Sequence, residues 1–174
     1  MPTTKQTALI DELLVKLTDD EQSLCEPVIG LLLELGYTVK RRKKSTFTVE
    51  FERFGRMIVK LEHGKAYMTD PTPHLMFWLR FSACDDYPKV FQDAVDHRPE
   101  AWVKRGQHWT PKTFDCCGLC RGKPRFYRHT AEDGSRFDFC GGFTKWVPGV
   151  TAQDVPDILR MIREQDAHFA DMCG

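Results

Sequence analysis

Apolar residues change their spacing abruptly between Gly36 and Phe47, and that change constrains the fold more than any other feature of the chain. Upstream, Leu9, Ile10, Leu13, Leu14 and Leu17 recur at helical spacing and line one face. Thr18-Asp19-Asp20-Glu21 then has the S/T-x-x-E form of a capping box, so a second helix starts there. Its apolar stripe is Leu24, Val28, Ile29, Leu32 and Leu35, and Gly36 can end it. Downstream the period is two. Phe47, Val49 and Phe51 alternate with Thr48, Glu50 and Glu52, the pattern of a half-buried antiparallel strand with its polar side outward. Helices with one apolar face followed by strands with one apolar face must cover each other.

The rest of the chain continues in kind. Gly55 marks a turn, and Met57, Val59 and Leu61 continue as the hairpin partner. Residues 76–83, MFWLRFSA, form a third strand with Phe77, Leu79 and Phe81 on one face. Asp86 is placed to N-cap a helix carrying Pro88 in its first turn, with Val90, Phe91, Ala94 and Val95 inward. PRFYRHT and SRFDFCGG flank Asp133-Gly134, a strong hairpin signal. Thr151 to Asp154 open a closing helix whose apolar side is Val155, Ile158, Leu159, Ile162 and Phe169. The predicted order is ααβββα-loop-ββα: an α+β fold, an antiparallel sheet with helices packed on one face. No repeat or linker divides residues 1–174, so one domain is expected, with two N-terminal helices over about 7–36 and a Cys-rich loop and hairpin over about 109–143.

A chain of 174 residues can bury roughly 70% of its unfolded surface, so it needs no disulfides to fold. The start, MPTTKQTALIDELL, lacks the layout of a signal peptide, and the longest apolar run, IGLLLEL, is far short of a bilayer span. These features point to a cytoplasmic protein with reduced thiols, where clustered cysteines mean metal or catalysis more often than disulfides.

Four of the seven cysteines lie in the stretch DCCGLCRGKPRFYRHTAEDGSRFDFCGG, residues 115–142. Cys117-Gly118-Leu119-Cys120 has the shape of a metal knuckle, in which the turn aims both sulfurs at one ion. Cys140, at the end of a strand, is the third candidate, since the hairpin carries the chain out and back towards the knuckle. A closed zinc site needs four ligands. The candidates for the fourth are Cys84, taken first, then His129, with Cys116 and His108 also open. The plain alternative is ordinary reduced thiols buried as small hydrophobes. A reactive thiol at Cys117 or Cys120, near Arg121 and Lys123, is a further one, although no strand-then-helix setting surrounds the pair.

Other features carry less. Lys40-Arg41-Arg42-Lys43-Lys44 can contact phosphates, or can simply be a solvated edge that resists pairing. Basic and acidic residues balance at 25 each, so no global field favours nucleic acid. Trp102, Trp109 and Trp146 are expected in loops, where tryptophans line pockets or interfaces more often than core. Arg80 stands in a strand of large apolar residues and can anchor an acidic ligand, although pairing with an Asp or Glu is the commoner use. No nucleophile elbow, P-loop, H-E-x-x-H or dinucleotide fingerprint occurs, which disfavours the conventional hydrolases, NTPases and dehydrogenases.

Four stretches carry a resemblance: ELGYTVKRRKKSTFTVEF, RFSACDDYPKVFQDAV, the cysteine pair followed by PRFYRHTAEDGSRFDFCGGF, and EQDAHF. Over roughly residues 8–169 the chain resembles a bacterial protein family of unknown function with a C-x2-C…C motif. That resemblance implies a metal or thiol site at Cys117, Cys120 and Cys140 and implies no activity. Some members are labelled transcription-regulator-like, but no helix-turn-helix is evident here. The element order is also similar to YjbR-type α+β modules, a likeness of fold that implies no function. The expected protein is a small cytoplasmic module that binds a small molecule or a protein partner through its sheet face and aromatic loops, with a structural zinc clip. A thiol enzyme or sensor using Cys117 or Cys120, and a nucleic-acid-binding module using residues 40–44, are the competing classes.

Overall fold

Two capping boxes shape the N-terminal region. The Thr3 hydroxyl accepts from the Gln6 N–H (3.3 Å) and Gln6 Oε1 accepts from the Thr3 N–H (2.8 Å), starting α1 (Thr4–Leu14). Thr18 and Glu21 repeat the reciprocal pair at 3.3 and 3.0 Å and start α2 (Asp19–Glu34). Each pair satisfies two amide protons that the first helical turn would otherwise leave without partners. Helix α2 ends as its glycine suggests. Gly36 has φ +84°, its N–H donates to Leu33 (3.0 Å), and the Tyr37 N–H donates to Leu32 (2.9 Å), which is a Schellman closure.

The computed structural model describes residues 2–42, 46–65, 73–80, 86–96, 126–130, 136–140 and 145–173. After α2 come β1 (Thr38–Arg41), β2 (Phe47–Arg53), β3 (Arg56–Lys65), β4 (Pro73–Leu79) and α3 (Lys89–Asp96). Then follow β5 (Phe126–Thr130), β6 (Arg136–Cys140), β7 (Lys145–Val147) and α4 (Val155–Cys173). Strands β1-β2-β3-β4-β7 form one antiparallel sheet in that order, and β5 and β6 form a separate hairpin. The fold is α+β, as the change of period implies. Helix α1 lies against β1 and β2, α3 against β7 and α4 against β3, while α2 packs on α4. The core lies between these helices and one sheet face, where Val49, Phe51, Val59, Leu61, Phe77 and Leu79 meet Leu13, Leu32, Ile158 and Phe169.

The differences from expectation are local. The main sheet gains β1 and β7, because Thr-Val-Lys-Arg and Lys-Trp-Val are too short to show a period and become strands only by pairing. Trp146 therefore sits in a strand rather than a loop. The third expected strand begins three residues earlier than its apolar run, at Pro73. Helix α3 starts at Lys89, and the Pro88 carbonyl accepts from Phe91 and Gln92 (both 3.0 Å), so Asp86 is not its cap. Strand β3 carries a bulge opposite Phe51 and Glu52, and the extra residue, Ile58, is fully buried beside Val59. The β2–β3 turn holds both Phe54 (φ +56°) and Gly55 (φ +68°) in the left-handed region, the pattern of a tight primed hairpin turn.

Glu21 also joins α2 to the sheet. Its Oε1 accepts from the N–H of Leu75 (2.6 Å) on β4, while its Oε2 serves Thr18. Burial alone would raise the pKa of this carboxyl, but the bonds from Leu75 and Thr18 and the nearby His63 outweigh it and hold the pKa below the ordinary value of 4.5. His63 is lowered from 6.5, chiefly because burial disfavours its charged form. In both cases the unfolded chain binds the proton more readily, so both contributions are present above the unfolded pKa and are lost as pH falls. Stability is expected to decline as pH drops below 6.5 and further below 4.5. Denaturant melts from pH 7 to 3 on wild type and Glu21→Gln check this: the gap between them should narrow as pH falls, and a constant gap would refute the assignment to Glu21.

Candidate functional site

The sheet face opposite the helices is built row by row from cross-strand neighbours. Lys40 pairs with Glu50, Glu50 with Lys60, Lys60 with Trp78 and Trp78 with Trp146, one residue from each of the five strands. Directly opposed residues project to the same face, so a charged alternation runs into two tryptophans. The next row is Thr48, Glu62 and Met76.

Polar outward positions on an antiparallel strand normally face water. Here they do not: Thr48 is 0% exposed, Lys60 5% and Glu62 6%. Lys60 Nζ lies 3.2 Å from Glu62 Oε2 and 3.7 Å from the centre of the Trp78 ring. The ammonium is thus held by a carboxylate and by the negative face of an indole. Glu62 Oε1 accepts from the Thr46 hydroxyl at 2.6 Å, and Thr48 Oγ1 lies 3.5 Å from Thr46. Gly64 makes room for the Thr46 side chain, since a Cβ there would come within 2.8 Å of Thr46 Cγ2. The indole Nε1 of Trp78 is buried without a hydrogen-bond partner among the described residues. Close together, therefore, lie an ammonium, a carboxylate, two hydroxyls and an indole N–H.

The residues singled out in the sequence do not converge. Trp146 joins this face directly opposite Trp78. Arg80 follows β4 but turns to the helix side, where its guanidinium lies 5.6 Å from the Phe169 ring in the core layer. Trp102, Trp109, Cys84, Cys117 and Cys120 lie outside the described residues, as do Cys116 and His108. Cys140 is placed by its backbone in β6, opposite Phe126, and the hairpin has the Thr130-to-Arg136 closure that Asp133-Gly134 implies. Among the described residues no three His, Cys, Asp or Glu side chains converge as a metal site. Cys25 is the one described free thiol. It is buried in α2, its Sγ is 3.5 Å from the Gln22 carbonyl, and burial pushes its pKa up to about 12. It has no thiolate chemistry near neutral pH.

Three members of the basic run are engaged at the sheet edge. Lys40 pairs with Glu52 (2.8 Å), Arg41 with Glu12 (3.2 Å) and Arg42 with Glu50 (3.0 Å), while Lys43 and Lys44 lie outside the described residues. Exposed pairs of this kind are weak, but they take the run's charge towards balance and favour a solvated edge over a phosphate track. Lys60, Glu62, Thr48 and Trp78 were missed in the sequence because alternation assigns them to the polar side, and periodicity does not register which polar sides are covered. The available signal was Lys60 and Trp78 lying in the same cross-strand register. Among the described residues no helix is long and apolar enough to cross a membrane. Comparison of the chain with protein-family models, curated proteins and solved structures finds no match.

Proposed function

We propose that the protein is a small cytoplasmic binding module whose ligand site is the sheet face opposite the described helices, around Lys60, Glu62, Trp78 and Trp146, with a structural zinc clip at Cys117, Cys120 and Cys140. The observation that carries the site is the Lys60–Glu62 pair, almost wholly withdrawn from water on a polar sheet face. A buried ion pair is a poor stabiliser, because hydrophobic residues of similar volume commonly do as well or better. Its presence therefore calls for a use. Convergent polar groups among aromatic side chains are what small-ligand sites consist of. The ligand class that suits an ammonium, a carboxylate, hydroxyls and an indole N–H is a small polar molecule with both donors and acceptors.

The zinc clip is supported by the hairpin register. Cys140 stands opposite Phe126 at the open end of β5 and β6, and Phe126 follows Cys120 by only six residues, which keeps Cys140 within reach of the knuckle. Cys84 or His129 would close the coordination. The zinc would hold the Cys-rich loop in place of a core that loop cannot build for itself.

The experiment is a thermal-shift screen of polar metabolites on the wild type and on the double variant Lys60→Met/Glu62→Leu. Ligands at this face should raise the melting temperature of the wild type and lose that effect in the double variant. Hits that act equally on both would move the site elsewhere. Metal content and thiol count on the same preparation, purified without chelator, address the clip. About one zinc per chain is expected for one four-ligand site, with Cys25 protected whatever the metal content. No metal together with one fast-reacting thiol would favour cysteine chemistry at Cys117 or Cys120 instead.

A further inference from the structure

Trp78 and Trp146 stand directly opposite each other on β4 and β7, and among the described residues β7 is the last strand of the sheet on that side. The pair therefore ends the row that runs from Lys40 through Glu50 and Lys60. Both tryptophans are half-buried, unlike Lys60 and Glu62 beside them, which are almost wholly withdrawn from water. On the other side of the same two strands Phe77, Leu79 and Val147 are buried in the core, so the backbone that carries the pair is fixed from behind. Directly opposed residues hold their Cβ atoms about 5 Å apart, and two indoles placed this way offer neighbouring flat surfaces.

The hydrogen-bonding capacity beside them is one-sided. Glu62 has Oε2 against Lys60 Nζ and Oε1 against the Thr46 hydroxyl, so both oxygens of this carboxylate are engaged. The Trp78 Nε1–H is buried and has no partner among the described residues. An indole nitrogen can only donate, so what it lacks is an acceptor. A buried donor left in that state costs free energy that a bound acceptor would recover. Charge, by contrast, is balanced. Lys60 is matched by Glu62, and an ion brought in beside them would itself be left without a counter-charge.

Resting on the reading of this face as the ligand site, we propose that its ligand is an uncharged planar ring carrying a carbonyl or ring-nitrogen acceptor, the chemistry of a nucleobase. The ring stacks on Trp146, and its acceptor takes the Nε1–H of Trp78. Stacking on an aromatic side chain tolerates any flat ring, whereas the single donor sets which edge of that ring turns inward. A sugar fits less well. Each of its hydroxyls brings a proton that needs an acceptor once water is excluded, and Glu62 is already committed to Lys60 and Thr46. A carboxylate or an ammonium ligand upsets the charge balance of the pair.

The probes are uridine, adenosine and ribose, titrated calorimetrically into the whole 174-residue chain. Both nucleosides should bind, and ribose, the sugar they share, should not. Trp146→Leu should weaken nucleoside binding about tenfold or more, the loss of one stacking contact. Trp146→Tyr keeps an aromatic face and should stay within about threefold of the wild type, which separates a lost platform from a lost fold. Trp78→Phe keeps a ring and removes the donor, and should weaken binding about fivefold, the size of one neutral hydrogen bond. Lys89→Gln, at an exposed position on α3, should change nothing. Ribose binding as tightly as the nucleosides would overturn the inference. So would nucleoside affinity unaltered in both Trp146→Leu and Trp78→Phe, or no nucleoside binding at all. In each of those cases the face still stands as a ligand site if polar metabolites that stabilise the wild type lose their effect in Lys60→Met/Glu62→Leu; if none does, both readings fall.

Discussion

Lys60→Met is expected to destabilise the protein by about 3–5 kcal/mol, a fall of roughly 10 °C or more in melting temperature. The substitution keeps the length of the side chain and its contact with Trp78, and removes only the charge. What remains is Glu62, 6% exposed, with one hydroxyl from Thr46 in place of a counter-ion. An isolated carboxylate in such a place keeps an uncompensated buried charge, which costs free energy. The double variant Lys60→Met/Glu62→Leu removes both charges together. It is expected to lie within about 1 kcal/mol of the wild type, or above it, because the cost of stripping water from two ions is then no longer incurred. Urea melts of the four proteins in the cycle separate the coupling energy from the single effects. If the single variant melted like the wild type, the pair would be solvated, and the case for a built site on this face would fall with it.

Phe51→Ala is the second large effect, a loss of about 3–5 kcal/mol. Phe51 is fully buried in β2, between Val39 of β1 and Val59 of β3, and faces the helices. It lies next to the bulge that turns both Ile58 and Val59 into the core, so three strands and the helix layer meet at its ring. Removing the ring leaves a void that a sheet pinned on both sides cannot close. Chemical denaturation should show a lower midpoint with an unchanged slope, since the same surface is exposed on unfolding. A loss below about 1 kcal/mol would mean that the helices relax into the gap and that the core is less tightly built than the register implies.

Much of this architecture is legible along the chain. Thr18 and Glu21, three apart, specify a reciprocal cap, and Gly36 allows the left-handed turn that ends α2. Asp133-Gly134 marks the hairpin that closes between Thr130 and Arg136. Less legible were the short strands β1 and β7, whose three or four residues show no period and which exist only through their neighbours. Trp146 was misplaced for that reason. The capping pair Thr3 and Gln6 went unread because it precedes the apolar stripe by several residues.

The candidate site and the long-range ion pairs divide along the same line. Lys60, Glu62, Thr48 and Trp78 lie in the longer strands β2, β3 and β4, whose alternation places each of them on the polar side. Only the tertiary structure decides that this face is withdrawn from water, because burial of a polar position depends on what lies across space from it. The Arg53–Asp166 ion pair is a tertiary creation altogether. Its members lie 113 positions apart and share no motif. They meet because α4 packs against the sheet where β2 ends. Local chemistry in the sequence determined the elements and their apolar faces; non-local packing decided which charges would have to live without water.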